Sequence, residues 1–281
     1  MEKILEVKGL SAGYGKKAIL QAADFTVHAG EMIGIIGANG SGKSTLLKTL
    51  RGLLPPLRGH ILYTGQDLQG LRAGDFSRRV GYLQQQSAFP FGYTAGEIVM
   101  TGRYPYLSWW QQEGEQDRLI VQCSMEYTGV ADLADQPMQA ISGGQRQRVL
   151  LAKVLAQQTP ILLLDEPATG LDIFYQEEIF RFARELCAAG KTILLVVHEL
   201  SLAARFCSRL LLLGQHRLLA DGAPAAVLTP TLLSQAYGTA VEVAQNPLTG
   251  HLDIFTPAST RKRQPESALR LLLENIPEGA K

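Results

Sequence analysis

The chain contains 281 residues, 46% of them hydrophobic, so it can bury a substantial core in one large domain or two lobes and is not intrinsically disordered. Its 27 basic and 26 acidic side chains leave a formal charge of +1, which excludes the strong basic field of proteins whose main partner is nucleic acid. The 3 cysteines form no Cys-x-x-Cys pair and no apolar run approaches the roughly 20 residues of a membrane-spanning helix, so we expect a cytoplasmic protein that meets any membrane through a partner.

The first thirty residues predict an antiparallel β region. Their apolar positions alternate with polar ones, and the alternation is interrupted by Gly-Tyr-Gly and Ala-Gly, which are typical of turns. The region leads into the short run EMIGIIG, whose apolar character predicts a buried strand.

A glycine-rich loop, GANGSGKST, follows that strand, and the sequence after it predicts a helix. Gly37, Gly42, Lys43 and Ser44 fit the pattern G-x-x-x-x-G-K-[ST]. The glycines let backbone N–H groups point at phosphate oxygens, and the helix N-terminus adds partial positive charge. We therefore predict a nucleoside triphosphate site in which Lys43 reaches the β- and γ-phosphates and Ser44 holds Mg²⁺. The alternative, a glycine-rich turn that binds nothing, does not explain a complete motif between strand and helix. We also expect Asn39, Gly40 and Thr45 of this loop to contact the nucleotide.

The rest of the chain divides into helical and alternating segments. Residues 85–159 predict helices and are interpreted as an inserted helical lobe. After them, apolar runs alternate with amphipathic stretches, as a parallel α/β sheet requires. The predicted fold class is therefore α/β, a P-loop NTPase core of residues 1–84 and 160–256 with a parallel sheet, an N-terminal antiparallel β region and the helical lobe. The tail, 257–281, predicts a basic link and a short amphipathic helix of unassigned function.

Three predicted strands end in side chains suited to phosphate chemistry. Ligands of open α/β sheets lie beyond the carboxyl ends of the strands, and the first such strand leads into the phosphate loop. The run ILLLDE ends in Asp165, a predicted Mg²⁺ ligand acting through water, and Glu166, which is placed to polarise an attacking water. TILLVV is followed by His198, predicted to orient that water and stabilise charge on the transferred phosphoryl group. Acids often begin ordinary loops, and most lone histidines are structural. The prediction therefore rests on finding the phosphate loop, the acidic pair and the histidine after three strands of one sheet.

A second glycine motif lies about a hundred residues after the first. Ser142, Gly143, Gly144 and Gln145 precede a predicted helix, as either an ordinary serine N-cap or a second anion-binding helix N-terminus. Together with the phosphate loop, LLLLDEPATGLD and VVHE in this order, they give a chain that resembles the nucleotide-binding subunits of ATP-binding cassette (ABC) transporters over about residues 3–222.

The resemblance implies a dimer in which two copies hold two ATP molecules head to tail. The Ser-Gly-Gly-Gln motif, Ser142 to Gln145, then reaches the γ-phosphate on the phosphate loop of the other copy. Tyr14 resembles the aromatic residue that stacks on adenine, and Asp172 resembles the aspartate that couples the two sites across the dimer.

A glutamine in VGYLQQQ completes the implied site. Gln85 resembles the loop glutamine that contacts Mg²⁺ and the water, although Gln84 or Gln86 can also be argued for that role. The chain departs from the family at Gln84, at Ile141 and at Glu199, but none of these departures removes a functional group. The predicted catalytic residues are Lys43, Gln85, Glu166 and His198.

Two further stretches narrow the resemblance. MTGRYPYL and, near the C-terminus, VEVAQNPLTGH resemble importers of iron-siderophores, haem and cobalamin. This implies ATP and Mg²⁺ as cofactors, a homodimer at the cytoplasmic face of the inner membrane, two transmembrane permease subunits, an extracytoplasmic substrate-binding protein and no nucleic acid. The aromatic segment 89–110 either fills the lobe's core or contacts the permease, with Tyr104 and Tyr106 as candidate contacts.

The alternative function is a soluble ABC-type or P-loop ATPase that is not coupled to transport. A chromosome-maintenance cassette would carry a long coiled-coil insertion, and a translation factor would carry two cassettes in one chain. The sequence shows neither feature. A P-loop kinase would leave the Ser-Gly-Gly-Gln motif unexplained. The substrate that crosses the membrane cannot be read from an ATPase subunit.

Overall fold

The computed structural model describes residues 2–84, 92–247 and 249–257. Within these residues the strands are β1 (Lys3–Tyr14), β2 (Lys17–His28), β3 (Met32–Gly37), β4 (Arg58–Tyr63), β5 (Gln66–Asp67), β6 (Val80–Leu83), β7 (Ile161–Leu164), β8 (Thr192–Val196), β9 (Arg209–Gly214), β10 (Arg217–Gly222), β11 (Glu242–Gln245) and β12 (Leu252–Phe255). The α-helices are α1 (Lys43–Leu50), α2 (Ala73–Ser77), α3 (Ala95–Met100), α4 (Glu115–Tyr127), α5 (Gly143–Ala156), α6 (Ile173–Ala188), α7 (Leu200–Phe206), α8 (Pro224–Val227) and α9 (Pro230–Tyr237), with 3₁₀ turns at Leu68–Gly70, Thr101–Tyr106 and Ala131–Leu133.

A central sheet carries the strands that the sequence linked to phosphate chemistry. Its order is β10-β9-β3-β8-β7-β6, with β9 to β6 mutually parallel and β10 antiparallel to β9. Every residue of β3, β7 and β8 is buried, because both faces of a parallel sheet are covered. The predicted α/β class with a parallel sheet is confirmed.

The N-terminal strands form the predicted antiparallel sheet, in the order β2-β1-β4-β5. It packs against one face of the central sheet, so that Leu5 and Leu20 share a buried cluster with Ile33 and Ile35 of β3. Because side chains alternate along a strand, Ile36 belongs to the second cluster, formed with the helices on the opposite face. β3, which leads into the phosphate loop, therefore has the antiparallel layer on one face and a helical layer on the other.

The inserted segment is helical, as the sequence predicts. Helices α3, α4 and α5 pack on one another, and the 3₁₀ helix Thr101–Tyr106 crosses α5 closely. Gly102 allows this approach, since a Cβ there would lie 2.3 Å from the carbonyl oxygen of Lys153. The boundaries between lobe and core, at residues 84/85 and 159/160, stay a prediction.

Two tyrosines of the aromatic segment occupy different environments. Tyr104 is 54% exposed. Tyr106 is half-buried, its hydroxyl donates to the Gln157 carbonyl over 2.9 Å, and the Arg103 guanidinium lies 4.3 Å from its ring centre. The packing of Tyr106 favours the alternative that this side chain fills the lobe, because it fastens the 3₁₀ helix to α5, while Tyr104 stays a candidate contact with a partner.

The C-terminal strands β11 and β12 form a hairpin whose Leu252 and Ile254 pack against the second core cluster, next to α7. The predicted tail helix lies outside the described residues. None of the helices in the described ranges is both long and apolar enough to cross a bilayer.

Candidate functional site

The predicted phosphate-chemistry side chains meet at one edge of the central sheet. β3 lies beside β8, and β8 lies beside β7, so the carboxyl ends of these parallel strands are adjacent. The phosphate loop follows β3, Asp165 and Glu166 follow β7, and His198 comes two residues after β8. This is the edge at which open α/β sheets bind ligands.

The phosphate loop is closed around the ammonium group of Lys43. Its Nζ donates to the carbonyl oxygens of Gly37 over 2.8 Å and Ala38 over 3.0 Å, and the residue is 5% exposed. Burial lowers the pKa of Lys43, and the nearby carboxylates of Glu166 and Asp165 act in the opposite direction. The lysine is thus held at the loop, within reach of any phosphate that the loop binds.

Glycine is required at the first position of the loop. Gly37 has φ +144°, and a Cβ there would lie 2.1 Å from the carbonyl oxygen of Leu213 on β9. Gly42, at φ +103°, is the N-cap of α1. Asn39 and Gly40 are exposed at the tip of the loop, and Thr45 is buried in the first turn of α1.

Ser44 and Asp165 form a pair of oxygen donors beside the loop. The Ser44 hydroxyl donates to Oδ1 of Asp165 over 3.0 Å, and the Tyr82 hydroxyl donates to Oδ2 over 3.2 Å. Asp165 is 1% exposed, and burial raises its pKa. Mg²⁺ prefers a carboxylate and other hard oxygens, completed by water and phosphate, so this donor set fits the ion.

Glu166 is held from both carboxylate oxygens. His198 Nε2 lies 2.6 Å from Oε1, and the Thr169 hydroxyl donates to Oε2 over 3.1 Å. Glu166 has φ +54°, a left-handed conformation that costs a non-glycine residue on the order of 1–3 kcal/mol and is concentrated at functional sites. The carboxylate is therefore fixed next to Asp165, where the sequence places the residue that activates water.

The Ser-Gly-Gly-Gln motif begins α5. The Ser142 side chain accepts from the Gln145 N–H over 3.2 Å, and Gln145 Oε1 accepts from the Ser142 N–H over 2.8 Å. Ser142 and Gly143 are exposed, Gly144 is half-exposed, and in the described ranges no hydrogen bond or ion pair joins the motif to the phosphate loop of the same chain. Ser142 thus caps α5 in the single chain, which is compatible with both alternatives, and the exposed motif remains available to a second chain.

The structure describes two of the three remaining predicted site residues. Asp172 caps α6 by accepting from the Tyr175 N–H over 3.1 Å. Tyr14 ends β1 and is 51% exposed, as an aromatic surface for a base requires. Gln85 lies outside the described residues, and so does the neighbouring Gln86.

Two contacts were missed by the sequence analysis. Tyr82 lies near the carboxyl end of β6, the strand next to β7. The rule that located Asp165 at the carboxyl end of a strand could therefore also have suggested Tyr82. Thr169 lies three residues after Glu166 in a turn, a spacing that lets a hydroxyl return to the preceding side chain. Neither signal is specific without the structure.

The class of ATP-binding cassettes is defined by three features together: the phosphate loop, the buried acid Asp165 and the exposed helix N-terminus at Ser142. A protein-family model described as ABC transporter matches residues 20–169. The chain is 38% identical over 256 residues to the achromobactin transport ATP-binding protein of Dickeya dadantii, covering 91% of this chain and 95% of that protein. It is also 38% identical over 251 residues to the hemin import ATP-binding protein of Streptomyces coelicolor, covering 89% of both chains.

The fold agrees with these relatives. A putative metal-chelate type ABC transporter solved in an inward-facing conformation superposes with a TM-score of 0.80 and 25% identity, over 91% of this chain and 98% of that one. This chain belongs to the ABC transporter family, as an ATP-binding subunit. ATP-binding proteins of this family are ATPases coupled to transport.

Proposed function

We propose that the chain energises import of an iron-siderophore, haem or cobalamin through a membrane permease. The observation that carries the proposal is the meeting of a lysine-bearing phosphate loop, the Ser44–Asp165 oxygen pair and the Glu166–His198 pair at one sheet edge. That edge supplies the chemistry of ATP hydrolysis. The relatives in transport of achromobactin, hemin and cobalamin supply the substrate class.

Each side chain has a distinct role in the proposed reaction. Lys43 binds the β- and γ-phosphates, and Ser44 and Asp165 hold Mg²⁺, which when bound neutralises charge on the phosphates. Glu166 accepts a hydrogen bond from the attacking water and takes its proton. His198 keeps the Glu166 carboxylate oriented and lies where charge develops on the phosphoryl group.

A homodimer completes the proposed site. Solved cassettes with this fold form dimers. Ser142 and Gly143 are exposed at the N-terminus of a 14-residue helix, where unpaired backbone N–H groups attract an anion. In a head-to-tail dimer this N-terminus contacts the γ-phosphate bound to the other copy.

A groove between the core and the lobe is the proposed contact with the permease. It encloses about 570 Å³ and is lined by Arg51 from the core, Lys153 from α5 and the exposed Tyr104. Among its described lining residues there is no carboxylate, and burial lowers the pKa of both cations. A permease segment that presents a carboxylate to this groove fits its charge.

Tyr82 and Gln84 lie in the wall of the same groove, and the Tyr82 hydroxyl contacts Asp165. The groove is therefore one side chain away from Asp165, the carboxylate proposed to hold Mg²⁺. The proposed assembly comprises two of these chains, two permease subunits and an extracytoplasmic substrate-binding protein, with this chain at the cytoplasmic face of the inner membrane.

Uptake measurements test the proposal. The gene for this chain is disrupted in its native host. Uptake of radiolabelled ferric siderophore, haem and cobalamin is then measured in the disrupted strain and in the same strain complemented with the gene. We expect one of the three to be lost, restored by the wild-type chain and not restored by Glu166→Gln. Unchanged uptake of all three would refute the importer assignment.

The uncoupled-ATPase alternative is tested with Lys153→Glu. Reversing this charge should weaken binding to the permease while the isolated subunit keeps its ATP hydrolysis, and the matched variant Lys153→Met should have an intermediate effect. Equal transport by Lys153→Glu and wild type would show that the groove does not bind the permease.

A further inference from the structure

Two tryptophans are exposed at the tip of a loop in the helical lobe. Trp109 is 92% exposed and Trp110 is 71% exposed, and they are the chain's 2 tryptophans. Their rings contact each other edge to face, with centres 5.3 Å apart and an angle of 88°. Tryptophan is the residue that gains most from burial in an interface, so a stacked pair in solvent indicates a surface that is covered in an assembly.

The loop geometry presents the pair outward. The Gln111 N–H donates to the Ser108 carbonyl over 2.9 Å, which places Trp109 and Trp110 at the two central positions of a turn. Glycine, proline, asparagine and aspartate are favoured at such positions, so local turn chemistry does not account for two tryptophans. Their side chains serve something beyond the turn.

A buried ion pair fixes the base of the loop. Arg103 precedes the loop and Asp117 follows it, and their side chains pair over 2.9 Å with 7% and 13% of their surface exposed. Asp117 also accepts from the Gly114 N–H over 3.1 Å. The tryptophan turn is therefore carried on a fixed base, which lowers the entropy cost of binding through it.

Along the chain, the turn closely follows residues of the proposed permease groove. Tyr104 and Pro105 line that groove, and the Leu107 N–H donates back to the Tyr104 carbonyl over 3.2 Å. Trp109 follows Pro105 by four residues. A permease that fills the groove therefore reaches the turn with an adjacent segment.

The charge beside the turn defines the partner's chemistry. Glu113 and Glu115 follow the tryptophans, no cation pairs with them in the described part of the chain, and Arg118 is the nearest basic residue along the sequence. Because these two acids outnumber the one neighbouring base, the region carries net negative charge, which disfavours binding to an anionic lipid surface. They favour lysine or arginine, which also bind tryptophan faces and are enriched in the cytoplasmic loops of membrane proteins.

We propose that Trp109 and Trp110 bind a lysine- or arginine-bearing cytoplasmic loop of the permease, as a second contact beside the groove. This inference rests on the proposed function, because it requires that a permease binds this chain. It assigns to the tryptophan turn a share of the affinity for the permease, because buried aromatic side chains are among the residues that contribute most to binding.

Tryptophan fluorescence tests the contact directly, since both fluorophores lie in the turn. The wild-type chain is titrated with the permease, recovered from the assembled complex and placed in nanodiscs of phosphatidylethanolamine and phosphatidylglycerol. Permease tryptophans are accounted for by subtracting a titration with the Trp109→Phe/Trp110→Phe variant. We expect a shift of emission to shorter wavelength and protection from acrylamide quenching with permease nanodiscs, and neither change with empty nanodiscs.

The outcomes separate this contact from its alternatives. A shift with empty nanodiscs would assign the turn to the lipid surface, and a concentration-dependent shift of the chain alone would assign it to a second copy. Binding to the permease with no change in emission would refute the contact while leaving the proposed function intact. Absence of any complex would remove both.

A double variant measures the contribution to affinity. Trp109→Ser/Trp110→Ser should weaken binding to permease nanodiscs about 10- to 30-fold, while ATP hydrolysis and melting temperature of the isolated chain stay unchanged. Phe255→Ser is the matched control, because Phe255 is 47% exposed in the C-terminal hairpin. Equal affinities for the double variant and this control would overturn the proposal.

Discussion

The Tyr82 hydroxyl donates a 3.2 Å hydrogen bond to Oδ2 of Asp165, whose Oδ1 accepts from Ser44 over 3.0 Å. Tyr82 lies on β6, next to β7 in the sheet, and it also lines the groove between core and lobe. One side chain therefore connects the proposed docking surface with the carboxylate that fits Mg²⁺.

Tyr82→Phe should raise the Mg²⁺ concentration needed for half-maximal hydrolysis about fivefold, because it removes one neutral hydrogen bond that orients Asp165. Binding of ATP in the absence of metal should not change. Mn²⁺ binding to the ATP-loaded chain, followed by electron paramagnetic resonance, gives a readout independent of turnover. Tyr106→Phe removes a hydroxyl that bonds to the Gln157 carbonyl rather than to Asp165, and it should leave the metal dependence unchanged.

Thr169→Val should lower the turnover number about tenfold with little change in the KM for ATP, because the Glu166 carboxylate loses the hydroxyl that orients Oε2. Thr169→Ser keeps that hydroxyl and should retain most of the activity. Steady-state kinetics of the two variants provide the comparison. Equal turnover by the valine and serine variants would show that Thr169 does not position Glu166.

Mixed dimers test the head-to-tail arrangement. A chain carrying Lys43→Ala is combined with one carrying Gly143→Trp, so that one composite site has both changes and the other has neither. A Cβ at Gly143 meets nothing within 4 Å, and so this variant should fold. We expect both homodimers to be inactive and the mixed dimer to hydrolyse ATP at about half the wild-type rate, provided that the sites act independently.

Gly70→Trp is the matched control, because a Cβ at Gly70 also meets nothing within 4 Å. Its homodimer should be active. An inactive but verified mixed dimer would contradict sharing of sites between chains, unless single-turnover measurements show that the two sites fire only together.

The Arg103–Asp117 pair should make the lobe's stability depend on pH. The Arg103 guanidinium holds the pKa of Asp117 below its ordinary value, so the pair's contribution is present above about pH 4 and is lost as the pH falls through the folded-state pKa. Asp117→Asn should lower the free energy of unfolding at pH 7 by about 1–3 kcal/mol. Denaturant titrations should show the difference between wild type and variant shrink as the pH falls below about 4.

Glu6→Gln is the control for that titration. Glu6 pairs with Lys3 and Lys8 at the surface, where solvent screens the interaction, so its replacement should change stability little. A constant difference between wild type and Asp117→Asn from pH 7 to pH 3 would contradict the assignment to the ion pair.

Residues attached to strand ends could be placed from the sequence, because a short buried run fixes both the strand and the edge at which it stops. Asp165, Glu166 and His198 were located in this way. Contacts that depend on register between elements could not be placed. Tyr82 meets Asp165 because β6 pairs with β7 in a particular register, which the sequence of either strand does not reveal.

The aromatic segment shows the same limit. Tyr104 and Tyr106 are two residues apart in a 3₁₀ helix of three residues per turn, so they point in different directions, and only the packing of that helix on α5 decides which is half-buried. The exposure of Trp109 and Trp110 likewise depends on a turn that the sequence does not favour. The left-handed backbone of Glu166 is also invisible in the sequence, since a glutamate carries no signal for positive φ.

The most direct test of ATP hydrolysis at this sheet edge is the turnover of Glu166→Gln, measured with its dimerisation in ATP and Mg²⁺. The amide cannot accept the proton of water, and its neutral charge removes repulsion from the γ-phosphate. For Glu166→Gln we predict at least a hundredfold loss of turnover, retained ATP binding and an ATP-bound dimer that accumulates in size-exclusion chromatography. The control variant Glu199→Gln changes an exposed acid next to His198 and should stay active. Near-wild-type hydrolysis by Glu166→Gln would contradict the assignment of Glu166 as the base.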